Sequence, residues 1–185
     1  MRFIVGATGV SLVIAALLCL TVLGLKWLLL GKVKEGIHPL WSCWCSRWDF
    51  LYVAWGEWAA PILERLEGSL LLIPYLRAMG MKIGKRVAFG DGFAQVVDPD
   101  MIVIEDDATI GANYQAHTFE DRVLKIGKVI VNRGATLGRS VVPLYGSVVG
   151  EHTVVEPNSV IMKHEHLLPG CRYQGSPSRP VESET

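Results

Sequence analysis

From Val131 to the tail, an apolar side chain returns every six residues, at Val131, Leu137, Pro143, Val149, Val155, Ile161, Leu167 and Tyr173. Four residues after each beat stands a mostly small side chain, at Ala135, Val141, Ser147, Thr153, Ser159 and Cys171, with a lapse at Glu165. Gly or an acidic residue often follows the beat directly, as at Gly138, Gly150 and Glu156. A period of six fits neither a helix at 3.6 nor a plain strand at 2. It fits a triangular solenoid in which each hexapeptide is one short strand plus a corner. The beat residue fills the interior and the small residue fits the tight corner.

The period extends upstream. Ile83–Val87 and Phe89–Phe93 read as hexads, the register slips through Gln95–Met101, and it resumes at Ile104–Ala108 and Ile110–Tyr114. After Tyr114 the beat is lost until Val129. At roughly 18 residues per coil, residues 81–178 make about five coils. Solenoid coils are packing, so function is sought in what interrupts them.

The segment before residue 80 is of another kind. Half of the chain is hydrophobic, and this apolarity is concentrated at the amino-terminal end. Phe3–Leu25 is almost uncharged and continues past Lys26 through Trp27 to Leu30. That exceeds the ~20 residues needed to cross a hydrocarbon core. A signal peptide is the competing reading, but the apolar run is too long for its core and lacks a small-x-small cleavage site. Lys26, Lys32, Lys34 and Arg47 after the span, against Arg2 before it, favour a cytoplasmic location for the residues beyond 31. The expectation is therefore a single-pass membrane helix over 1–30 and a Trp-rich interfacial helical segment over 31–80. The repeat domain occupies 81–178 and a flexible tail 179–185. Residues 49–63 read as a helix in the interface or packed on the span, contacting membrane lipid.

Eighteen basic and eighteen acidic residues cancel, which removes the electrostatic case for a nucleic-acid partner. The four cysteines, Cys19, Cys43, Cys45 and Cys171, form no disulfide framework, and Cys43-x-Cys45 lacks the further ligands of a metal site. His164 and His166 share a turn and His152 follows Glu151; these read as surface histidines, His38 as interfacial, and no metal site is expected. The excursion 115–128 carries His117 beside Thr118, Phe119, Glu120, Asp121 and Arg122. Taken alone, His117 is either a structural loop histidine or a base whose imidazole those carboxylates orient. A neutral imidazole can take a proton from an amine or hydroxyl as it attacks an acyl carbon.

The motifs Ile110-Gly111-Ala112-Asn113, His117, Ser159-Val160-Ile161-Met162-Lys163, Leu168-Pro169 and Gly175-Ser176-Pro177-Ser178 resemble those of hexapeptide-repeat acyltransferases. The resemblance implies a mainly β fold, a left-handed parallel β-helix, with His117 as the catalytic base and Asn113 holding the acceptor or the His loop. It implies Gly175, Pro177 and Lys163 near the pantetheine arm of the donor, and backbone N–H groups for the oxyanion. It implies no permanently bound cofactor. The donor substrate would be acyl-CoA or a phosphopantetheinyl carrier, and the acceptor a small-molecule or peptide amine or hydroxyl. A homotrimer is implied as well.

Further upstream, the runs LKWLLLGKVKEGIHPLWS, LEGSLLLIPYLRAMGMKIGKRV and DPDMIVIEDDATIG resemble the terminal membrane region of poly-lysine-synthetase-type peptide synthetases. There, membrane spans alternate with soluble acyltransferase-like domains. On that likeness the chain corresponds to a final span plus the last β-helix domain, as a short relative or a split copy, and associates with a peptide synthetase. The rival reading is a non-catalytic β-helix scaffold with a vestigial His loop.

Overall fold

The computed structural model describes residues 2–90 and 98–181. The Asp91–Phe93 end of the second hexad, the Gln95–Val97 start of the register slip and the end of the tail lie outside the described residues. Helix α1 (Arg2–Leu29) opens the chain, and its Thr8–Leu29 stretch of 22 residues is long and apolar enough to cross a membrane. Strand β1 (Gly36–Pro39) comes next, then α2 (Cys43–Ala54), a π-helical turn at Trp55–Ala59, α3 (Ala60–Leu63) and α4 (Leu72–Met79). Ser42 caps α2 by accepting from the Cys45 N–H. Gly80 ends α4 in the left-handed conformation. Trp48, Leu51, Ala54, Trp55, Ala59, Leu63, Leu72 and Leu76 are buried, while much of α1 is exposed and aliphatic. The 49–63 stretch is thus helical and packs on α1.

Parallel pairing then builds the solenoid. One face stacks β2 (Lys82–Ile83), β4 (Ile102–Ile104), β8 (Val129–Val131) and β10 (Val148–Val149). A second stacks β3 (Ala88–Phe89), β5 (Thr109–Ala112), the first half of β9 (Thr136–Pro143), β11 (Val154–Val155) and β13 (Arg172–Gln174), which β14 (Arg179–Pro180) closes antiparallel. On the third face, β12 (Val160–Ile161) pairs the far half of β9, which turns a corner at Ser140 (φ 59°). The beats stack on one another: Ile83, Ile104, Val131 and Val149 form one ladder. Phe89, Ile110, Leu137, Val155 and Tyr173 form the next, and Pro143 lies on Ile161. Ile104, Ile110, Val131, Leu137, Val149, Val155, Ile161, Leu167 and Tyr173 are buried, as are the small residues Ala135, Val141, Ser147, Thr153 and Ser159. The six-residue period is therefore the spacing between faces of a triangular interior.

Corners stack as well. Asp107, Gly134, His152 and Gly170 all take positive φ and form one backbone-bonded column. A Cβ on Gly134 would lie 2.4 Å from Nδ1 of His152, so His152 is corner packing against a glycine. His164 has the same relation to Gly146. At the lapse in the pattern, Glu165 accepts from the Met162 N–H (2.7 Å) and from the Ser178 hydroxyl, tying the last corner to the closing turn.

The break between Tyr114 and Val129 is an antiparallel hairpin, β6 (His117–Glu120) and β7 (Val123–Ile126), turned by Asp121 and Arg122 with φ of 53° and 62°. Strand β1 joins it on the β7 edge, Gly36 opposite Ile126 and Pro39 opposite Val123. The segment after α1, read from sequence as an interfacial helical stretch, thus includes a strand of the excursion's own sheet. Its apolar residues are too few and too mixed with polar ones to mark a strand before the partner is known.

Where coils run closest, added volume meets backbone. A Cβ on Gly150 would lie 2.6 Å from the Pro169 nitrogen. Gly150→Ala is expected to lower stability by about 1–3 kcal/mol through overpacking, read as a fall in the thermal unfolding midpoint.

Candidate active site

The hairpin delivers His117 to a junction between the solenoid and the helical layer. Its Nδ1 lies 2.6 Å from Oδ2 of Asp98, and the other oxygen of that carboxylate accepts from the indole N–H of Trp48 at 2.7 Å. Asp98 is buried to 2 % exposure. A buried carboxylate accepts, so Nδ1 carries the proton and the tautomer leaves Nε2 as the basic nitrogen. The Trp48 ring packs edge-on against the imidazole (centroids 4.8 Å, 72°), with Phe119 and Tyr52 closing other sides. Three elements therefore hold one ring: α2 through Trp48 and Tyr52, the hairpin through His117 itself, and the Asp98 turn.

The carboxylates expected to orient His117, Glu120 and Asp121, are occupied elsewhere. Both pair with Lys125, Glu120 at 2.9 Å, and Glu120 also pairs with Lys163. Asp98 takes the role because the turn before β4 passes beneath the hairpin. In sequence it stands 19 residues before the histidine, inside a register slip, and only the Asp98-Pro99-Asp100 string marks it.

Asp100, the other acid of this string, faces the opposite way. Its Oδ2 pairs with the Lys26 ammonium of α1 at 2.8 Å and accepts from the Val33 N–H at 3.1 Å. Both side chains are almost fully buried, at 1 % and 3 % exposure. Neither Lys26 nor Asp100 carries a sequence signal for this contact.

His117 borders two openings. One, of 380 Å³, is walled by Tyr52, Trp55 and Glu64 of the helical layer and by Asn113, Tyr114, Gln115 and His117 of the solenoid. The other, of 440 Å³, runs along Trp48, Asp49, Thr118 and Phe119. Tyr52, Gln115 and His117 line both. Asn113 is fixed by its own N–H on the Val141 carbonyl (2.9 Å), while its side-chain Oδ1 is buried with no hydrogen-bond partner among the described residues. An acceptor oxygen buried without a donor is costly. Burial pushes the Tyr114 phenol up, so it stays protonated beside the cleft. A wider open groove of 840 Å³ near Arg77 and Arg133 lacks His117, and both of its arginines are engaged internally: Arg133 on Asp106, Arg77 on the Ile83 and Gly84 carbonyls.

The remaining sequence candidates are not brought to the cleft. Lys163 binds Glu120 across the outside of the hairpin. Gly175 (φ 102°) and Pro177 lie in the closing turn, where Gly175 donates to the Ser159 hydroxyl and its carbonyl accepts from Val160. Cys43, Cys45, Cys19 and Cys171 are all free thiols, Cys45 buried in α2.

No family model matches the chain. It is similar to the delta-poly-L-ornithine synthetase of Acinetobacter baumannii, 31% identical over 179 residues that cover 92% of this chain and 13% of that protein. Among solved structures, a galactoside acetyltransferase in complex with coenzyme A superposes with a TM-score of 0.54 at 11% identity, over 80% of this chain and 86% of that one. A hexapeptide-repeat acetyltransferase of Vibrio cholerae complexed with acetyl coenzyme A gives 0.49 at 18% identity, over 68% and 85%. The chain thus resembles a galactoside acetyltransferase in fold and one segment of a poly-ornithine synthetase in sequence.

Trp48→Phe keeps the packing but removes the indole donor to Asp98. The substitution is expected to cost about 1–3 kcal/mol, the penalty of an orphaned buried acceptor, measured by thermal or denaturant unfolding.

Proposed function

We propose that this chain is a membrane-anchored acyltransferase module with His117 as its general base. The observation that carries the reading is the Asp98–His117 pair on a cleft that Asn113, whose buried side-chain oxygen has no hydrogen-bond partner among the described residues, also lines. The acceptor amine or hydroxyl enters this cleft and donates an N–H or O–H to Asn113. The thioester of acyl-CoA or of a phosphopantetheinyl carrier enters from the second opening, so that both substrates meet at His117. Nε2 takes the acceptor's proton as its nitrogen or oxygen bonds to the acyl carbon. The tetrahedral oxyanion then collapses, the C–S bond breaks, and the imidazolium returns the proton to the departing sulfur. Asp98 stays ionised and stabilises the imidazolium between the two transfers.

The likeness to a synthetase segment supports an acyl group or aminoacyl group passed to an amine within a membrane assembly. The chain spans 13% of that protein's length. In this reading α1 crosses the bilayer and the left-handed β-helix of about five coils lies on the cytoplasmic side. The solenoid assembles as a trimer, with Gly175, Pro177 and Lys163 beside a neighbour's donor groove. The closeness of His117 to Asn113 on an open cleft favours catalysis over a scaffold whose hairpin fills its own groove.

The purified chain is assayed for thiol release from acyl-CoA and acyl-carrier donors against a panel of amines. His117→Ala is expected to lower the rate about 10²–10⁴-fold, the span of a positioned general base. An undiminished rate would remove His117 from the chemistry.

A further inference from the structure

We propose that Lys26 and Asp100 are positioning residues for His117, so that the membrane helix forms part of the catalytic scaffold. The inference rests on the reading of His117 as base, and its first measurement needs no turnover. Lys26 lies in the last turn of an otherwise apolar helix, yet its ammonium turns into the protein and is 1 % exposed. A buried ion pair stabilises little, since desolvation of both charges offsets their attraction; its best-attested use is to set one arrangement against others. An anchor that merely held a domain to a membrane would pack a leucine at this position.

The geometry shows what is being set. Asp98 and Asp100 are two residues apart on a single 3₁₀ turn (Pro99–Met101), closed by the Met101 N–H on the Asp98 carbonyl at 3.0 Å, with Pro99 restricting φ between them. Asp100 is gripped on its own side by Lys26, by the Val33 N–H and by Gly80, where a Cβ would fall 2.3 Å from Oδ1. Asp98 is gripped on the other side by Trp48 and His117. The turn therefore has no slack: a displacement of the Lys26–Asp100 pair moves the Asp98 carboxylate, and with it the proton on Nδ1 and the aim of Nε2. A shift of a few tenths of an ångström in such a contact matters because a base must meet its proton within hydrogen-bond reach.

The test uses the full chain in lipid nanodiscs, labelled with 15N-histidine, with the His117 signals assigned by His117→Gln and Asp98→Asn as the benchmark of a ring that faces an amide in place of the carboxylate. The main variant is the double change Lys26→Met with Asp100→Asn, which leaves no orphaned charge and keeps an oxygen for the Val33 N–H; Asp100→Asn alone is the second. Expected are an unchanged circular dichroism spectrum, a His117 tautomer signal moved toward that of Asp98→Asn, and a kcat for acetyl-CoA-dependent acyl transfer lowered about 10–100-fold, with KM changed by less than about threefold. Lys26→Arg, which retains the charge, is expected to keep the wild-type signal. A folded double variant with the wild-type His117 spectrum and kcat overturns the proposal and leaves the pair as a plain staple. If the wild-type chain transfers no acyl group, the base reading fails by itself, and the spectra still decide whether the pair holds the ring.

Discussion

A carboxylate removed from water must be met by donors or cations, and the Asp98–Pro99–Asp100 turn buries two. Satisfying both demands brings together parts of the chain that no sequence pattern connects. Asp98 needs Trp48 and His117; Asp100 needs Lys26 and the Val33 N–H. The helical layer, the hairpin and the first coils each have apolar contacts of their own to fold around. The partnering of these two acids joins the β1–β7 pairing in giving the three one mutual placement.

The solenoid makes that placement possible by being uniform elsewhere. Its interior is a stack of like residues, Ile on Val on Val and Leu on Val on Tyr, and each coil presents the same surface to the next. A repeating frame tolerates one inserted hairpin because the coils on either side still find their register: Ile104 pairs with Val131 across it, and Ile110 with Leu137. The excursion is held at its base by the coils and at its outer edge by β1, so His117 is fixed from both sides without belonging to the repeat.

How much of this is legible in the sequence depends on the range of each interaction. The six-residue beat is local and repeated, and it locates the strands from Ile83 to Tyr173 and the interrupting loop with His117. The composition of residues 49–63 marks a helix but leaves open whether it lies in the interface or packs on α1; the contacts place it on α1. The orienting acid is not legible. Glu120 and Asp121 are neighbours of His117 in sequence and suit the role by position, but the backbone of a two-residue turn points them outward to Lys125. Asp98 reaches the ring through space, from a stretch where the repeat slips. Strand β1 is equally hidden, since four residues with alternating burial become a strand only when β7 is alongside.

The contacts that complete the site also span long stretches of chain, 50 residues for Trp48 with Asp98 and 93 for Glu35 with Lys128. Loops of that length close late, because their entropic cost precedes any reward. During synthesis the apolar helix and the Trp-rich layer emerge before the hairpin does. Strand β1 then waits, unpaired, for β7. The Asp98–His117 pairing is consequently late to take shape, and a nascent or misassembled copy has its apolar helix in place well before it has that pair.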